Sequence, residues 1–172
     1  ITDYQGLGTA GTHTYMVREA QGRAVLDMAR ATKNLKGSGI TASNPIGLMG
    51  YSQGGGAAGA AAELAGSYAP ELNIKGSAIG APPADLGKVG KNIDGSLYFA
   101  FATFALLGVA QSEGIDPNPH LNAAGKELAS QVENDCVFDL FNYAFKDSGT
   151  YTTSGKKLSA LLDEQPFRAA VE

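Results

Sequence analysis

The sequence is poor in the residues that build covalent or metal-held frameworks. It has one cysteine, Cys136, and two histidines, His13 and His120, among 172 residues. A lone thiol excludes a disulfide within these residues and any cysteine-cluster metal site; no metal or other cofactor is expected. A bond from Cys136 to a cysteine outside them stays open. Basic side chains are also scarce, with Lys plus Arg at 13 against 17 Asp plus Glu, a formal net charge of −4. No basic stripe exists to neutralise a run of phosphates, so nucleic acid is not an expected partner. The apolar run from Leu97 to Ala110 is too short to span a bilayer, and no transmembrane segment is expected. What is plentiful is glycine, 23 of 172 residues and concentrated in the first ninety, a density that implies tight turns and close backbone approach. With 44% hydrophobic and 17% charged residues the length suits one globular domain. Its two ends nevertheless read as the inside of a strand and an unfinished helix, so a piece of a longer protein is expected.

Alternating element types run along the first half. Ile1 to Tyr4 reads as a short strand entering the loop Gly6-Leu7-Gly8-Thr9-Ala10-Gly11. From Tyr15 to Ala31, Val17, Ala20, Ala24, Met28 and Ala31 recur at helical spacing and predict one buried face, with Val25 beside it. Pro45 to Gly50 is short and almost wholly apolar, the pattern of a strand buried on both faces of a parallel sheet. Gly55 to Ala69, rich in alanine and glycine, predicts a slim helix able to lie close to the sheet, and Ile74 to Gly80 a further strand. Strand, helix, strand, helix, strand gives an α/β class with a parallel sheet. Beyond it Asn122–Val132, Val137–Phe145 and Lys156–Leu162 read as helical, so the expected division is a sheet portion at 1–86 and a helical insertion at 87–172.

Chemistry concentrates at Gly50-Tyr51-Ser52-Gln53-Gly54, a G-x-S-x-G set between the buried strand and the slim helix. A serine at such a turn is held in a strained conformation, and the flanking Gly50 and Gly54 remove Cβ atoms that would collide. Ser52 is the candidate nucleophile; the backbone N–H of Gln53 at the helix start is a candidate oxyanion donor. Gly6-x-Gly8-x-x-Gly11 formally matches a dinucleotide fingerprint. It is rejected because the next strand ends in Tyr51-Ser52 rather than in an acid that could hold a ribose.

No general base is evident. His13 follows the first strand but precedes the serine, against the order serine, acid, histidine of α/β-hydrolases; its plainer reading is a histidine that orders the glycine loop. His120, in a proline-bounded loop, reads as a surface residue. Asp85, Asp94 and Asp116 follow Ser52, but none ends a recognisable strand. Tyr51, His13, Phe99, Phe101, Phe104 and Leu107 are candidates for a pocket or lid, with core packing as the alternative for the apolar run.

The residues Thr2 to Gly8, His13-Thr14-Tyr15, Gly50 to Gly55, Ser67 to Leu72 and Gly80 to Leu86 together resemble the secretory lipases of actinobacteria and fungi, the lipase A type of Candida. That resemblance implies an internal portion of an α/β-hydrolase: part of the parallel sheet followed by a helical lid. It implies a secreted carboxylic ester hydrolase that works on lipid without a cofactor through an acyl-serine at Ser52, with Gln53 as one oxyanion donor. The second donor, the acid and the histidine are expected outside these residues, so the remaining portion of the same protein is an expected partner. Three alternatives stand beside it: a short-chain or cutinase-like polyester hydrolase, a non-catalytic binding module, and a complete enzyme with His13 as base.

Overall fold

Small side chains decide how closely the first elements pack. The computed structural model describes residues 2–41, 43–135 and 137–171, so the reading of Cys136 concerns a residue outside them. Two compact units result: residues up to Thr9 with Met16–Ala84, and Ala10–Tyr15 with the residues from Asp85 onward.

The first unit contains α1 (Arg18–Asn34), β1 (Ile46–Tyr51), α2 (Gln53–Tyr68) and β2 (Ile74–Gly80). β1 and β2 pair in parallel, with Leu48 opposite Ser77 and Tyr51 opposite Gly80. Leu26, Leu48, Ala58, Ala61, Leu64, Ala69 and Leu72 form the core between helices and sheet. At a glycine, α1 comes so near α2 that a Cβ on Gly22 would lie 2.9 Å from the Ala60 carbonyl carbon. The buried face of α1 therefore runs through Gln21, Gly22 and Leu26. This differs from the predicted face, because the glycine contact, rather than the alanine spacing, sets the rotation of the helix.

One strand expectation is corrected. Thr2 to Tyr4 form no strand: the Thr2 hydroxyl donates to the Ala24 carbonyl at 2.9 Å, and neither β1 nor β2 pairs with them. Gly6, Gly8 and Gly11, at φ 87°, 67° and 99°, turn the chain beyond Gln5. Within these residues the helical core covers β1 on its Leu48 face. Leu48 is 6% exposed whereas Met49 is 86% and Tyr51 76% exposed, since side chains alternate along a strand and the helical core lies on the Leu48 side.

Among the described residues the second unit is helical apart from one isolated bridge between Leu121 and Thr152. It contains α3 (Leu86–Ile93), α4 (Phe99–Glu113), α5 (Ala123–Asn134), α6 (Leu158–Leu162) and α7 (Phe167–Val171). The apolar run becomes α4, buried nearly all round: Leu106, Val109 and Ala110 pack with Leu121, Leu158, Leu161, Leu162 and Phe167, and Phe99 and Ala100 with Leu128, Val132 and Leu140. A helix apolar on every side has to be enclosed on every side. It ends at Gly114 in a left-handed cap, φ 64°. The predicted helix over Val137–Phe145 shrinks to a 3₁₀ turn, Asp139–Tyr143, flanked by the exposed Phe138 and Phe145; Phe145, at φ 63°, takes the chain out of helical geometry.

Backbone proximity also governs α5. Asn122 caps it by accepting from Gly125 N at 3.0 Å, and a Cβ on Gly125 would stand 2.1 Å from the Tyr151 carbonyl oxygen. Overpacking of this kind costs roughly 1–3 kcal/mol, against the gain of about 0.5–1 kcal/mol from alanine in a helix. Gly125→Ala should therefore lower the thermal unfolding midpoint of the full-length protein, measured by circular dichroism, while the exposed Ala124→Ser leaves it within a degree or two.

Candidate active site

At the end of β1 the chain must reverse into α2 within one residue, and Ser52 takes the whole turn. Its backbone sits at φ 54°, ψ −119°, a region that non-glycine residues occupy at a cost of about 1–3 kcal/mol. Two hydrogen bonds hold it there: Ser52 N donates to the Gly80 carbonyl at 3.0 Å, and Gly56 N donates to the Ser52 carbonyl at 3.0 Å. The first ties the turn to β2 and the second begins the helix. The side chain is exposed, beside the positive end of α2, whose first turn carries no acidic residue. Gln53 is the first residue of that helix.

Crowding at the turn falls on three glycines. A Cβ on Gly50 would lie 1.9 Å from the Gly54 carbonyl oxygen, one on Gly55 2.3 Å from the Gly80 carbonyl oxygen, and one on Gly80 2.7 Å from Tyr51 Cδ2. At Gly54 a Cβ would have open space. The sequence reading named Gly50 and Gly54 and missed Gly55 and Gly80. Gly55 directly follows the motif and Gly80 ends a predicted strand, so the cue available in sequence was the pair of strand ends converging on one helix start.

The other candidates are distributed between the units. Tyr51 projects on the exposed sheet face of the first. In the second, His13 is buried and meets Tyr15 edge-on, ring centres 5.9 Å apart. Tyr15 in turn packs on Phe101 and Phe104 at 6.1 and 5.7 Å; its burial pushes the phenol up to about 12, so it stays protonated. These four rings form one group. Phe99, fully buried, belongs to a core cluster and packs on Tyr151, and Leu107 lines a separate cleft. His120 is half-buried, its ring edge on Phe167 at 5.3 Å, which anchors the proline-bounded loop.

Each aspartate named in the sequence is engaged in holding backbone. Asp85 caps α3, accepting from Lys88 N at 2.9 Å, and the Lys88 ammonium and this N–H hold its carboxyl below the usual carboxylate range. Asp94 accepts from Ser148 N and Oγ at 2.9 and 3.0 Å and pairs with Lys157 at 3.0 Å. Asp116 accepts from Asn118 N and Nδ2 at 3.0 and 2.8 Å, which lowers its pKa. The Gly6–Gly11 loop does not sit on a helix start, because α1 begins only at Arg18. No group of three potential metal ligands occurs among the described residues, and no helix there is long and apolar enough to cross a membrane.

A parallel strand pair with a serine in a left-handed strand-to-helix turn is the arrangement of the α/β-hydrolase fold. The closed-state crystal structure of Candida antarctica lipase A superposes with a TM-score of 0.79 and 27% identity, over 92% of this chain and 37% of that one. The secretory lipase family model matches residues 1–172, and the chain belongs to that family. A secreted triacylglycerol lipase of Malassezia globosa is 37% identical, across 81% of this chain and 29% of its own length. A probable inactive lipase of Mycobacterium tuberculosis is 34% identical, across 76% of this chain and 30% of its own. The chain thus spans about a third of the length of the relatives it matches.

The glycine geometry separates three substitutions that sequence spacing treats alike. Gly50→Ala and Gly55→Ala should each destabilise the full-length protein by roughly 1–3 kcal/mol, whereas Gly54→Ala should be within about 0.5 kcal/mol of the parent. Ser52→Gly should raise the denaturation midpoint, since relief of about 1–3 kcal/mol of strain outweighs the entropy of about 0.4–1 kcal/mol that a glycine adds to the unfolded chain. Urea denaturation of the four variants measures both.

Proposed function

We propose that this chain carries the nucleophile of a secreted serine ester hydrolase of the lipase type, acting on triacylglycerol or related carboxylic esters. The observation that carries the reading is the backbone of Ser52, a non-glycine residue held at φ 54°, ψ −119° with its side chain exposed at the start of a helix. Strain of this kind persists where surrounding structure enforces it, and it turns the hydroxyl away from the sheet toward solvent.

In the proposed reaction Ser52 Oγ attacks the ester carbonyl as a base removes its proton. The tetrahedral oxyanion is met by the Gln53 N–H and the positive end of α2. Collapse expels the alcohol, protonated by the conjugate acid of that base, and leaves an acyl-serine that water then hydrolyses. The base, its acid partner and the second oxyanion donor are assigned to the rest of the longer protein, a reading supported by the structural duties of His120, Asp85, Asp94 and Asp116. The helices after Asp85 are proposed as a lid, with His13, Phe101 and Phe104 of that unit as candidate contacts for the acyl chain. Secretion is proposed from the family.

A second reading, a binding protein with a vestigial elbow, is supported by the Mycobacterium tuberculosis relative named a probable inactive lipase. One experiment separates the two. In the full-length protein a fluorophosphonate should label Ser52, and Ser52→Ala should lower p-nitrophenyl ester turnover by about 10⁴-fold or more. Labelling elsewhere, or turnover unchanged in Ser52→Ala, would overturn the assignment; no turnover by the parent would favour the binding protein. A preference for p-nitrophenyl palmitate over the acetate would separate a lipase from a short-chain esterase.

A further inference from the structure

One strained residue of the first unit takes no part in the proposed reaction. Ala81, directly after β2, stands at φ 43°. An alanine rarely takes a positive φ, and a residue before proline is pushed toward extended backbone; Ala81 precedes Pro82 and departs from both preferences. Strain of this kind persists only where its surroundings enforce it, and it concentrates at functional sites. The stretch that follows has little freedom. Pro82 and Pro83 each have a fixed φ, and Ala84 N donates to the Pro82 carbonyl at 2.9 Å, closing a three-residue turn over Pro83.

Gly80 to Pro83 reaches both ends of Ser52. On one side the Gly80 carbonyl, joined to Ala81 by one peptide bond, accepts from Ser52 N at 3.0 Å. On the other, Gly56 N donates to the Ser52 carbonyl at 3.0 Å, and Pro83 lies over Gly56, its Cδ 3.7 Å from where a Cβ on that glycine would stand. The two hydrogen bonds that hold the serine therefore share one support. The Gly80 carbonyl lies in the peptide plane whose orientation relative to that support is set by the φ of Ala81. A residue with a Cβ has one narrow left-handed well, whereas glycine spreads over a broad one, so alanine fixes this plane more tightly than glycine would.

We propose that Ala81 is a positioning residue for the Ser52 nucleophile: its left-handed backbone, backed by Pro82 and Pro83, aims the Gly80 carbonyl at Ser52 N and so fixes the direction of the Ser52 hydroxyl. This rests on the assignment of Ser52 as nucleophile. Ala81 and Ser52 are then counterparts, two non-glycine residues at positive φ at the ends of neighbouring strands, coupled through one hydrogen bond. Ala81 touches no reacting atom and acts through Gly80. The consequence is a separation of stability from rate, because removing its Cβ relieves strain but loosens the aim.

Ala81→Gly and Ala81→Asn in the full-length protein test this. Glycine takes φ 43° without strain but does not hold it, whereas asparagine tolerates the left-handed region and keeps a Cβ; Ala81 is exposed, so the larger side chain has room. With p-nitrophenyl butyrate, kcat should fall about three- to tenfold in Ala81→Gly with KM within about twofold, and return to within about twofold of the parent in Ala81→Asn. The urea midpoint of Ala81→Gly should not fall below that of the parent, and its Ser52 amide should exchange with deuterium about tenfold faster. Unchanged kcat, a loss of kcat together with a lower urea midpoint, an equal loss in Ala81→Asn, or unchanged exchange at Ser52 would each, in an active parent, overturn this proposal alone. A parent that neither hydrolyses the ester nor takes a fluorophosphonate at Ser52 would overturn the nucleophile reading, and the proposal with it.

Discussion

Everything in the first unit depends on backbone meeting backbone where β1, α2 and β2 converge. Side chains at Gly50, Gly55 and Gly80 would occupy space already filled by the Gly54 carbonyl, the Gly80 carbonyl and the Tyr51 ring. Because these positions carry no Cβ, the Gly80 carbonyl can reach Ser52 N and the helix can start one residue after the strand. A turn that short leaves no room for a relaxed conformation, and the left-handed backbone of Ser52 is the consequence. The conformation belongs to the packing, and any residue with a Cβ at that position would be strained by it.

The same demand shapes the composition of α2. A helix pressed onto strand ends cannot carry large residues on its inner face, and Ala57, Ala58, Ala60 and Ala61 are buried there. Such a helix contributes little apolar area of its own, at about 25 cal/mol per Å² buried. Larger side chains make up the difference: Leu26, Leu48 and Leu72 pack against it beside its own Leu64, and Arg30 ties α1 to the end of α2 and the chain after it by hydrogen bonds to the Tyr68 carbonyl and Glu71 at 2.6 Å each. The stability that offsets a strained serine thus comes from the face of the sheet opposite Met49 and Tyr51. The strain and its compensation are on different residues, so a substitution can change one without the other.

Local signals were legible where the chain's own spacing carries them. The strand before Ser52, the alanine-rich helix after it, the parallel partner and α4 follow from composition and length. Signals that depend on a distant neighbour were not. The rotation of α1 is set by Gly22 against Ala60, a contact 38 positions away in sequence, so the alanine periodicity pointed to the wrong face. Thr2–Tyr4 read as a strand from residue type alone, while a strand exists only through its partner.

Site residues divide along the same line. Ser52 and Gly50 could be read from a motif, since the motif is itself a statement about a turn. Gly55 and Gly80 could not, since their role lies in the 2.3 Å that would separate a Cβ on one from the carbonyl of the other. The aspartates show the converse. Asp85, Asp94 and Asp116 come into question in sequence because they follow Ser52, yet each already serves backbone N–H groups. A carboxylate that completes a cap or a turn gives up that hydrogen bond if it moves, at about 0.5–2 kcal/mol for a cap. That cost is what separates an acid that holds a fold from one that is free to serve a histidine, and it is a property of the neighbours, which no spacing of acids along the chain records.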